Sequence, residues 1–230
     1  KENHDKYAIN DPHLIPKYAV LDPSFLLTLP GSVTSTTGMD ALTHAIEAFI
    51  GKSNIRKTRK NALSAIKLIF ENLEKSYQDP SNIEYRQNMQ IASYQAGVAF
   101  TRAYVGYVHA LAHSLGGKYK VPHGLANAIL LPEVLKAYGT SINSKMAQIY
   151  DYVHGKNNSL TNDEKRIYLI EHIENMNKNM NVISNFSSVI KEEDLNDLVN
   201  HAYKESHPLY PVPKLLDKDE LKNIYLKCMH

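Results

Sequence analysis

Asp40 and His44 stand four residues apart in TTGMDALTHAIEAFI, residues 36–50, and His109, His113 and His123 fall within fifteen residues of GYVHALAHSLGGKYKVPHGLANAILLP. On an α-helix a residue and the one four ahead share a face, so Asp40 and His44 form one pair and His109 and His113 a second. Imidazoles set among apolar and small residues are costly to bury unless they are hydrogen-bonded, paired or bound to metal. One carboxylate with several imidazoles and no thiolate suits a borderline divalent ion such as Fe(II) or Zn, whereas Ca or Mg would want mostly oxygen. Such a set in a helical cleft keeps a position open for a substrate oxygen, with the ion as Lewis acid. Two plainer readings stand beside this one. Thr37 to Asp40 also fits a capping box, which would make Asp40 a helix-start residue, and any single histidine could be a satisfied core residue. The conjunction of the two clusters favours a ligand set.

Helices must hold these residues, and the helical period dominates the chain. It predicts helices over residues 38–50, closed by Gly51, and over 56–77, where Ala62, Ile66, Ile69, Leu73 and Tyr77 recur at spacings of four and three. Ser81 to Glu84 has the capping-box pattern and opens a helix to about 103, whose small residues Ala92, Ser93, Ala96, Gly97 and Ala99 permit close packing. Further helices are predicted over 105–116, from Pro122 through GLANAILLPEVLKAY, from the Thr161 to Glu164 capping box to about 180, and over KEEDLNDLVNHAYKE and DKDELKNIYLKCM. The last two are separated by the proline-rich SHPLYPVP. Before residue 31, Pro12, Pro16, Pro23 and Pro30 break any helix and YAVLD is at most one short strand. The expected fold is an all-α domain over 31–230 with a short extended N-terminal lead-in.

Composition narrows the partners. With 43% apolar residues, a chain of 230 can bury a sizeable core. The 26 Lys plus Arg nearly balance 24 Asp plus Glu, so there is no electrostatic footprint for nucleic acid or an anionic membrane. No apolar run approaches the roughly 20 residues of a membrane span. A single cysteine, Cys228, excludes a disulfide framework and fits a reducing, cytoplasmic setting. Among ten glycines there is neither a GxGxxG turn nor a Walker-type loop, so a nucleotide would need another domain.

GMDALTHAIEAF, followed some sixty residues later by HALAHSLGGKYKVPHGLANAILLP, resembles the two signature segments of the iron-containing alcohol dehydrogenases in order and spacing. RQNMQIASYQAGVAF, the lead-in IPKYAVLDPSFLLTLP and the late PLYPVPKLLDKDEL are similar to the same family, so the likeness covers most of the chain. The resemblance implies a dehydroquinate-synthase-like helical domain that carries the metal, preceded in the family by a Rossmann-like domain that carries NAD or NADP. It implies Asp40, His44, His109 and His123 as the ligands, His113 as a non-ligand histidine in a proton-relay role, and Phe100 as an aromatic lining the cleft, for which plain core packing is the equal alternative. His207 stands near the cleft where the family pattern has Asn. His4, His13, His154, His172, His201 and His230 match nothing and are expected at the surface. The family's glycine-rich GGS and GTGSE cofactor segments are not in this sequence, so residues 1–30 are expected to be a remnant or linker from a missing nucleotide-binding domain.

The expected function follows: the metal-binding catalytic half of an enzyme passing hydride between a small alcohol and NAD(P), inactive on its own, with Fe(II) or Zn bound and homo-oligomers possible. Two readings of other classes compete. One is a metal-dependent hydrolase in which His113 or Glu47 activates a water; the other is a non-catalytic helical metal-binding or dimerisation module.

Overall fold

Pro30 closes the lead-in, and in the computed structural model, which describes residues 11–230, the chain turns there directly into a long helix, α1, Gly31–Ile50. The helix begins at residue 31 and not 38 because the Ser/Thr-rich turn folds its hydroxyls back: Thr34, Thr36 and Thr37 donate to the carbonyls of Pro30, Ser32 and Val33. The Thr37 to Asp40 capping box therefore does not form. Asp40 lies well inside the helix, where a carboxylate needs another reason to be.

Met39, Leu42, Ala45, Ile46, Ala48 and Phe49 are all buried, so α1 is apolar nearly all round, as a central helix must be. It packs against α2 (Arg56–Gln78), α3 (Ile83–Ala103) and α5 (His123–Tyr138). The predicted stripe of α2 is buried at Ala62, Ile66, Ile69 and Leu73, with Tyr77 half-buried. α3 is capped by Asn82, whose side chain accepts from the N–H groups of Glu84 and Tyr85, so the cap is one residue later than the sequence suggests. Its buried Ala92, Ala96 and Ala99 let it approach α1 and α2.

The second half of the fold holds α4 (Tyr107–Tyr119), α6 (Asn143–His154), α7 (Asn162–Asn179), α8 (Leu195–Ser206) and α9 (Lys218–Met229). The Thr161 to Glu164 capping box opens α7 as expected, and α6 is an addition to the predicted set. α4 packs between α5 and α8. α5 carries an internal proline: Pro132 has no N–H to give the carbonyl of Ala128, and Asn177 of α7 donates to that oxygen instead, at 2.7 Å.

No strand exists among the described residues, so YAVLD is not one. A strand needs a partner to fill its ladder; the lead-in instead forms two short 3-10 turns, Pro12–Leu14 and Pro23–Leu26. Among the described residues no helix is long and apolar enough to cross a membrane.

Candidate metal centre

Three helices bring the charged and imidazole groups to one point. Asp40 and His44 lie a turn apart on α1, His109 is in the first turn of α4, and His123 opens α5. Asp40 Oδ1 is 3.7 Å from His44 Nδ1, 3.7 Å from His109 Nε2 and 3.4 Å from His123 Nε2. Ligand atoms of Asp40, His44 and His109 all fall within 4.8 Å of one another. Around a tetrahedral ion with bonds of about 2.1 Å, neighbouring ligand atoms stand about 3.4 Å apart. Asp40, His44 and His109 fit that group by spacing and donor type; His123 is not in that set of three and reaches it through Asp40.

A fifth side chain reports the same convergence. Asn127, fully buried and a turn after His123, donates its Nδ2 to Asp40 Oδ1 at 2.5 Å and lies 3.3 Å from His109 Nε2 and 3.1 Å from His123 Nε2. An amide nitrogen has two hydrogens and faces three acceptor-type atoms here, while its own Oδ1 is buried with no hydrogen-bond partner. Sequence reasoning passed over Asn127, although its spacing of four from His123 places it on the same helix face.

Glu47 stands behind His109. Its Oε1 accepts the N–H of Val108 at 2.8 Å, and its Oε2 accepts that of Gly106 at 2.8 Å and lies 2.6 Å from His109 Nδ1. These bonds commit both oxygens, so Glu47 is not the water-activating base of the hydrolase reading. Gly106 is needed there because a Cβ would come within 2.7 Å of Glu47 Oε1.

His113, a turn beyond His109, stacks on His123 with ring centroids 5.1 Å apart. Its Nδ1 lies 2.7 Å from Glu205 Oε1 on α8, and the Tyr210 hydroxyl donates to the same oxygen at 2.5 Å. Phe100 stacks on His44 at 4.1 Å and also packs against the hydrophobic core. His207 stacks on Tyr203 at 3.8 Å with Nε2 3.0 Å from the Tyr107 hydroxyl. His13, His154, His201 and His230 are exposed, whereas His172 is half-buried edge-on against Phe70, which corrects its assignment to the surface. His4 lies outside the described residues.

Charge in the cluster is strongly coupled. Burial would raise the Asp40 carboxyl, but the histidines around it, His109 foremost, hold it well below the usual carboxylate range. Burial and then the positive His109 push His44 down to about 3. Burial would lower His109 as well, yet the Asp40 and Glu47 carboxylates flanking it raise it to about 9. The cluster thus sets an ionised Asp40 beside a charged His109 and a neutral His44.

Residues 34–229 match the sequence model of the family described as Fe-containing alcohol dehydrogenase family, C-terminal. The chain is 34% identical over 221 residues to 1,3-propanediol dehydrogenase of Citrobacter freundii, covering 96% of this chain and 57% of that protein. Alcohol dehydrogenase 4 of Saccharomyces cerevisiae is 38% identical over 216 residues, covering 92% of this chain and 55% of the yeast protein. A crystal structure of 1,3-propanediol oxidoreductase matches with a TM-score of 0.85 at 34% identity, over 90% of this chain and 54% of that one. The chain therefore spans about half the length of the relatives it matches.

Proposed function

We propose, since this chain belongs to the Fe-containing alcohol dehydrogenase family and matches its C-terminal part, that it is the metal-holding half of a nicotinamide-dependent alcohol dehydrogenase. Asp40, His44, His109 and His123 would hold one divalent ion, Fe(II) or Zn. That ion would supply Lewis-acid polarisation of an alcohol or aldehyde oxygen, for hydride exchange with NAD or NADP bound by the rest of the protein. The observation that supports this reading is the gathering of three imidazoles from three helices around the Asp40 carboxylate, with Asp40, His44 and His109 close enough to share an ion.

The chain's own groups have separate tasks in it. His113 moves the proton: with Glu205 at its Nδ1, its Nε2 is left to take a proton from the substrate hydroxyl or return one. Glu205 and the Tyr210 hydroxyl hold the ring in that orientation. Phe100 covers the face of His44 and keeps water from that side of the cluster. Residues 1–30 would connect this domain to a nucleotide-binding domain, as the greater length of the relatives suggests. A cytoplasmic setting is supported by the single, buried Cys228, and homo-oligomers belong to the same reading.

Elemental analysis of the chain after loading with Zn or Fe(II) and gel filtration tests the proposal. One ion per chain is expected, and none would overturn it. For the whole protein, alcohol-dependent reduction of NAD or NADP is expected.

A further inference from the structure

We propose that Glu47 is a positioning residue that fixes His109 in the Nδ1–H tautomer and so aims its Nε2 lone pair at the ion. The inference rests on the metal reading above and adds a residue outside the four ligands.

Three donors surround the Glu47 carboxylate: the backbone N–H groups of Gly106 and Val108 and the ring nitrogen of His109. The two backbone groups belong to the start of α4, where N–H groups lack intrahelical partners and the helix dipole favours negative charge. Held by both, the carboxylate cannot turn away from the ring. Both side chains are 2% exposed, so no water competes for the contact. With each oxygen already accepting, the imidazole nitrogen must be the donor, which leaves Nε2, on the side of Asp40 and His123, as the unprotonated atom of the neutral ring. The opposite tautomer would put an N–H into the centre of the ligand set. Asp40, His44 and Glu47 follow one another at spacings of four and three along α1, so one helix face supplies two ligands and the group that orients a third. A carboxylate behind a ligating histidine is the usual way a ring is fixed and made more basic toward a metal.

Glu47→Gln tests this. The amide carbonyl can still accept a backbone N–H, but an amide N–H facing His109 Nδ1 favours the wrong tautomer. Zinc affinity, measured by competition with a chromophoric chelator, is expected to fall about 10- to 100-fold. Nitrogen NMR of the metal-free chain, held alkaline enough for neutral rings, should show Nδ1–H at His109 in the unsubstituted protein and Nε2–H in Glu47→Gln. Zinc binding by the variant as tight as that of the unsubstituted chain would overturn the proposal, since a purely structural cap would change stability and leave affinity alone. If the variant does not fold, the unsubstituted spectrum decides: Nε2–H at His109 overturns the proposal and Nδ1–H supports it. A chain that keeps Nδ1–H yet takes up no zinc would overturn the metal reading while supporting the hold of Glu47 on the ring, so the two failures are distinguishable.

Discussion

A methyl group on Gly124 would lie 2.4 Å from the carbonyl oxygen of Thr36, so α5 begins with its backbone pressed against α1. That contact sets His123, the neighbouring residue, beside Asp40. Gly124→Ala should push the start of α5 outward, destabilising the chain by about 1–3 kcal/mol as overpacking does, and should weaken zinc binding in the same variant. Denaturant melts with a zinc competition assay check both; unchanged affinity would show that the close approach does not position His123.

His109→Ala, His123→Ala and His44→Ala should each remove most bound metal, whereas His113→Ala should leave occupancy nearly intact, because the first three each face Asp40 while His113 is engaged by Glu205. Metal content per folded chain measures this. Similar losses in all four variants would dissolve the division between ligands and relay. His109→Ala carries a second expectation: it leaves the Glu47 carboxylate buried without its imidazole partner, which costs about 3–5 kcal/mol for a broken buried pair.

Metal uptake should release a proton. The neighbouring carboxylates raise His109 to about 9, so near pH 7 the metal-free ring is charged, and an ion that takes Nε2 must expel the proton. The sign follows: affinity rises with pH, by about one log unit per pH unit from this group, and levels off above about 9. Calorimetry in buffers of different ionisation enthalpy should detect about one proton released per ion near neutrality. Uptake without release would mean that His109 is neutral before the ion arrives.

Cys228 should resist thiol reagents. Burial, with a smaller push from Glu133, raises its thiol to about 12, and the side chain points from α9 into the core. At pH 8 almost none is thiolate, the reactive form. Labelling should be slow in the native chain and fast in denaturant; rapid native labelling would place the thiol at the surface.

The two helical pairs are legible because a spacing of four is a contact within one helix, and Asp40 with His44, or His109 with His113, needs no knowledge of the fold. Their conjunction suggests a ligand set and family likeness names its members, but nothing in their spacing says that Glu47 of α1 meets the start of α4. Glu47 carried a readable signal, three residues after His44 on the same face, but only the N-terminus of α4 gives it a purpose. Glu205 could not be found: its bond to His113 spans 92 residues of chain. The start of α1 was hidden by hydroxyls that suggest a cap yet bond back within the helix, and the strand at YAVLD by a pattern with no partner to pair with.

Pro132 leaves a gap in the hydrogen-bond ladder of α5, and Asn177 of α7 fills it. The helix bearing His123 and Asn127 is therefore not an independent opening unit. In hydrogen exchange, the amides of α5 should gain or lose protection together with those of α7, since neither helix can swing away without stranding the Ala128 carbonyl. Breathing of α7, far along the chain from any proposed ligand, would then be one of the motions that sets how long an ion stays.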